Sequence, residues 1–93
     1  MRTIRRTARF KKDYKRESRG RHGATLANDL REVVSFLAAD SALAANYRDH
    51  SLGGIWQDHR DCHIKPDLVL VYRQPDPESL ELVRLGSHSE LGL

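Results

Sequence analysis

Four of the five histidines in this sequence, His50, His59, His63 and His88, lie in its second half. Imidazole changes charge near neutral pH, so a group of histidines is suited to move protons in either direction. Cleavage of RNA through its own 2′-hydroxyl needs this and little else. A base takes the 2′-proton, an acid protonates the departing 5′-oxygen, and cations or hydrogen-bond donors hold the charge on phosphorus. His63 and Asp67 flank the Lys65-Pro66-Asp67 turn, so a hairpin should bring them together. A carboxylate there would fix the imidazole tautomer and raise its pKa. Arg84 and His88, four apart on an extended stretch, share a parity and should face the same way. With a strand between them, His63, Asp67, Arg84 and His88 would surround one sheet surface, with His50 folding over it from the preceding loop. His22 and His59 read as surface or hydrogen-bonded histidines. Three histidines and an aspartate are also good metal ligands. The local pattern is only H-x3-D, without HExxH or a cysteine pair, so neither metal nor cofactor is expected.

These residues need a sheet to carry them and helices to back it. Residues 2–6 read as a short first strand. Thr7 is a candidate N-cap for a helix over residues 8–19, in which Phe10 and Tyr14 share a face and lysines and arginines cover the rest. Residues 25–39 form the clearest helix, with Leu26, Leu30, Val33 and Leu37 at helical spacing and Val34 and Phe36 widening the stripe. Residues 41–54 read mostly as loop, broken by Gly53-Gly54. Residues 55–64 resemble a strand, although a polar one. The apolar run Leu68–Arg73 is typical of a central strand buried on both faces, and residues 80–86 form the last strand. Two tight connections make this meander antiparallel. The order β-α-α-β-β-β predicts an α+β fold, with two helices on one face of a four-stranded, largely antiparallel sheet.

The chain has 93 residues, enough for one small domain over residues 1–93. No apolar run approaches the roughly 20 residues that span a bilayer. The basic N-terminus lacks the apolar stretch of a signal peptide. The single cysteine, Cys62, cannot form an internal disulfide, which fits a reducing cytoplasm. Charge is unevenly distributed. Residues 1–40 carry 11 Lys/Arg against 5 Asp/Glu, whereas residues 41–93 carry 5 against 8. Such a basic segment suits a polyanion such as RNA or DNA, a solvated helix face, or an acidic protein partner.

The motifs themselves are familiar in order and spacing. Tyr47-Arg48-Asp49-His50-Ser51-Leu52-Gly53-Gly54-Ile55-Trp56 resembles the YxDHxLxGxW segment of YafQ-type toxins. Arg60-Asp61-Cys62-His63-Ile64-Lys65-Pro66-Asp67 resembles their RDxHxxPD segment. Leu70-Val71-Tyr72-Arg73 and Arg84-Leu85-Gly86-Ser87-His88-Ser89-Glu90-Leu91 complete the series, and Phe10–Arg16 resembles the family's first helix. The resemblance places the chain in the RelE/ParE superfamily, the toxin halves of type II toxin–antitoxin pairs. It implies an endoribonuclease that cuts mRNA on the ribosome. It also implies an antitoxin that wraps the toxin, and a complex that represses its own operator DNA. The implied catalytic residues are His50, His63, Asp67 and His88, with Arg84 as phosphate partner. Arg60, Lys65 and Tyr72 are further substrate-contact candidates, with Lys11, Lys12, Lys15 and Arg16 on the basic helix. A tyrosine such as Tyr72 is more often a core aromatic than a base-stacking platform. Leu68 and Leu91 stand where the family commonly has aromatics, which bears on base stacking. The competing reading is a ParE-like or catalytically silent inhibitor on the same fold.

Overall fold

The computed structural model describes all 93 residues. They run β1 (Thr3–Arg6), α1 (Ala8–Ser18), α2 (Gly23–Ala38), β2 (His50–Ser51), β3 (Arg60–Lys65), β4 (Leu68–Arg73), β5 (Ser79–Gly86) and α3 (His88–Leu91). Thr7 caps α1 as expected: its hydroxyl accepts from the Phe10 amide at 3.0 Å and donates to the Val83 carbonyl at 2.8 Å. One side chain thus closes the helix start and ties it to β5. Phe10 and Asp13 are the buried residues of α1, while its lysines face outward. The second helix starts two residues before Thr25, because Gly23 packs against the end of α1. A Cβ on Gly23 would lie 2.1 Å from the Ser18 carbonyl oxygen, so only glycine permits the approach. Leu26, Leu30, Val33, Val34 and Leu37 are buried as their spacing predicts. Phe36 lies off that stripe and is 41% exposed.

The sheet order is β1-β5-β4-β3-β2. β1 pairs with β5 in parallel, and all other pairings are antiparallel. The α+β reading and its element order hold. A fifth strand arises because His50 and Ser51 pair with Asp61 and Arg60. The expected strand over 55–64 forms only from Arg60 onward. Before it, Gly54 and Asp58 adopt positive φ and residues Gly54–Trp56 make a 3-10 turn, which breaks the extended chain.

Strand alternation divides the sheet into two faces. Cys62, Ile64, Leu70, Tyr72, Leu80, Leu82 and Leu85 belong to the main core with the helices. Val69 and Val71 form a smaller cluster with Leu91 on the other face, against Leu52, Trp56 and Val83. β4 is therefore buried on both sides, as its unbroken apolar run predicts. A cleft of about 570 Å³ between β1, α1 and α2 contains none of the histidines.

Candidate active site

Because Cys62 and Ile64 point into the core, Asp61 and His63 fall on the opposite face of β3. β2 brings His50 beside them through its pairing with Asp61. His88 arrives from α3. The extended stretch expected there turns into a helix because Ser87 and Glu90 form a capping box. Ser87 Oγ accepts from the Glu90 amide at 3.2 Å, and Glu90 Oε1 accepts from the Ser87 amide at 2.9 Å. The result places the His63 and His88 rings 4.9 Å apart, inclined at 58°. Arg16 of α1 holds α3 from behind. It contacts Glu90 Oε2 at 3.2 Å and donates to the Leu85 carbonyl at 2.9 Å. At this crossing a Cβ on Gly86 would lie 2.8 Å from Arg16 Nη2, so a larger residue would displace the end of that side chain.

Beneath the imidazoles lies Asp61, 1% exposed. Burial pushes its carboxyl above the usual range, against the opposing pull of His50, His63 and His88. His50 Nδ1 is 2.8 Å from the Arg48 carbonyl and 3.0 Å from Asp61 Oδ1. One N–H faces two acceptors, so Asp61 Oδ1 has the contact but no aligned donor. With Nδ1 donating, the neutral His50 ring carries its lone pair on Nε2. His63 is pushed below the usual histidine value, first by burial and then by the neighbouring His88.

Of the expected site residues, His50, His63 and His88 come together. Asp67 does not join His63. It sits in the β3–β4 turn and accepts from His22 Nε2 at 2.8 Å and from Arg21. These contacts, the His22 hydrogen bond foremost, hold its carboxyl below the usual range. The turn between α1 and α2 therefore supplies Asp67's partners, and Asp61 takes the position beside His63 that spacing assigned to Asp67. Arg84 does not share His88's direction. A bulge at Val83 shifts the β4–β5 register, and Arg84 reaches Asp13 of α1, with Nε 2.7 Å from Oδ2. Arg60 turns to Asp49 at 3.3 Å, and Lys65 turns to Asp29 at 3.1 Å. Tyr72 is buried in the core, with its hydroxyl donating to Asp49 at 2.5 Å. Lys11, Lys12 and Lys15 are exposed on α1, whereas Arg16 engages Asp13, Glu17 and Glu90. Asp61 was missed. Its signal was its i, i+2 relation to His63, which puts both on one face of any strand.

Two long helices on one face of a mostly antiparallel sheet place the chain in the RelE-like class of toxin folds. The family model described as the bacterial YafQ toxin of type II toxin–antitoxin systems matches residues 2–92. The chain is 37% identical over 65 residues to the mRNA interferase toxin YafQ of Escherichia coli K12, a match covering 69% of this chain and 70% of that one. With a YafQ toxin of Haemophilus influenzae it is 46% identical over 54 residues, spanning 53% of that relative. A metal-bound toxin from Helicobacter pylori superposes with a TM-score of 0.82 at 44% identity, covering 98% of this chain and 99% of the other. YafQ in the E. coli DinJ–YafQ complex superposes with a TM-score of 0.79 at 30% identity, covering 98% of both chains. The chain belongs to the YafQ family of bacterial toxins from type II toxin–antitoxin systems.

Proposed function

We propose that this chain is an mRNA interferase, an endoribonuclease that cuts mRNA on the ribosome by acid–base chemistry at the 2′-hydroxyl. The observation that carries the reading is the trio of imidazoles on one sheet face, with the His63 and His88 rings 4.9 Å apart above the buried Asp61. His50, oriented through Nδ1, takes the 2′-proton on Nε2 as the 2′-oxygen attacks phosphorus. Asp61 stabilises the imidazolium that forms. His88, whose ring faces that of His63 at 4.9 Å, is the donor, and its proton goes to the 5′-oxygen as the P–O5′ bond breaks. The products are a 2′,3′-cyclic phosphate and a 5′-hydroxyl.

Relatives named as mRNA interferases support the reaction, and the DinJ–YafQ complex supports inhibition by a cognate antitoxin. The complex would act on operator DNA, and the free toxin on ribosomes in the cytoplasm. The H. pylori toxin holds a metal. The reaction proposed for this chain uses its own side chains.

The test is cleavage of an mRNA in a reconstituted translation system, beside the same mRNA without ribosomes. Fragments ending in 2′,3′-cyclic or 3′-phosphate, formed only during translation, are expected. Ends bearing 5′-phosphate and 3′-hydroxyl would require an activated water and overturn the mechanism. Intact mRNA in cells that nevertheless stop growing would favour a ParE-like inhibitor.

A further inference from the structure

The phosphorus of the transition state needs a cation, and the residues expected to supply it are occupied. Arg84 is turned to Asp13, Arg60 to Asp49 and Lys65 to Asp29. The exposed Arg48 forms no such pair. It shares with His63 a pocket of about 300 Å³, lined also by Asn46, Ile64, Lys65 and Pro66. We propose that Arg48 is the phosphate-binding residue of this site, its guanidinium engaging the non-bridging oxygens of the scissile phosphodiester of an RNA substrate. The inference rests on the ribonuclease reading above and adds to it a residue that the motif's histidines do not include.

Backbone geometry supports the assignment independently. Arg48 ends the 3-10 turn Ala45–Tyr47 in the left-handed region, with φ 51° and ψ 43°. Asp40 and Asp58 also have positive φ, but a short polar side chain eases that conformation and arginine has none. Such strain concentrates at sites where a side chain must be held in one place. Here the same residue presents its carbonyl to His50 Nδ1 at 2.8 Å and lines the pocket beside His63. One residue thus orients one imidazole and places a charge next to another. That charge also lowers the pKa of His63, after burial, His88 and the opposing pull of Asp61. A planar guanidinium can contact two phosphate oxygens at once, which an ammonium cannot.

The test compares Arg48→Lys, Arg48→Gln and Arg48→Gly for cleavage of a translated mRNA, with thermal stability measured alongside. Gln and Gly should lose roughly 10²-fold in kcat, the usual effect of removing one donor to a developing oxyanion. Lys should retain part of the rate, and added guanidinium ion should restore part of it to the Gly variant. The Gly variant should be at least as stable as wild type, because glycine adopts this φ freely. That combination of lost cleavage and kept stability is one that a structural role for Arg48 does not produce. Lys and Gln variants with equal rates would overturn the proposal, as would a Gly variant that cleaves like wild type. If the wild-type protein itself leaves translated mRNA intact, the ribonuclease reading fails first, and this inference with it.

Discussion

Replacing Asp13 by alanine should destabilise the fold far more than a helix-surface change, because three donors converge on that carboxylate. Arg84 Nε lies at 2.7 Å, the Leu85 amide at 3.0 Å and Arg16 Nη1 at 3.0 Å. Burial alone pushes the Asp13 carboxyl up. The hydrogen bonds from Arg84 and Leu85 and the charges of Arg84 and Arg16 outweigh it and hold the group below the usual range. The Asp13 and Arg84 side chains are 3% and 14% exposed, so water cannot replace either partner. Removing one member of a buried pair costs about 3–5 kcal/mol. Arg16 is 43% exposed and recovers its hydration, which favours the lower end. At about 3 kcal/mol, and about 4–8 °C per kcal/mol for a domain of this size, Tm should fall by roughly 12–24 °C. Denaturant unfolding of Asp13→Ala, Arg84→Ala and the double variant gives the coupling between the two, expected at about 2 kcal/mol. The contribution of Asp13 should persist above the ordinary aspartate pKa and disappear as pH falls below it. The depressed native carboxyl binds fewer protons than the unfolded one. An Arg84→Ala variant that unfolds like wild type yet cleaves poorly would refute this account and return Arg84 to the phosphate.

His88→Ala should leave the fold intact and lower cleavage by roughly 10²–10⁴-fold, the range for loss of a general acid. A folded variant that cleaves at the wild-type rate would remove His88 from the chemistry. Asp61→Asn preserves shape and removes charge. Cleavage should fall and its acid limb should move to lower pH, because the imidazolium loses its carboxylate. Stability near neutral pH should hold or rise, since a raised native carboxyl pKa means stability is lost as pH climbs through it. A fall in stability with an unmoved pH profile would make Asp61 structural only. Reversing Lys11, Lys12 and Lys15 to Glu, on the exposed face of α1, should weaken ribosome binding and flatten its salt dependence. Unchanged binding across a salt series would leave them as a solvated face or an antitoxin contact.

Local chemistry carries far in this chain. The 3.6-residue spacing of Leu26, Leu30, Val33 and Leu37, the Thr7 cap and the apolar run of β4 determine both long helices and the central strand without reference to anything distant. Motif order also singled out His50, His63 and His88, whose approach needs only neighbouring strands and the short helix after β5. The partners of the charged groups lie beyond that reach. Whether Asp67 meets His63 or His22 depends on where the turn between α1 and α2 docks, across 45 residues of sequence. Whether Arg84 faces substrate or Asp13 depends on one bulged residue at Val83, since a single-residue slip in a strand reverses which face a side chain takes. Asp61 enters the proposed site because β2 lays His50 against it, and Arg48 enters it through a backbone of positive φ. Periodicity is a property of neighbouring residues and survives in the sequence. The pairing of charges is decided by register and docking between distant segments, and only the tertiary structure contains those.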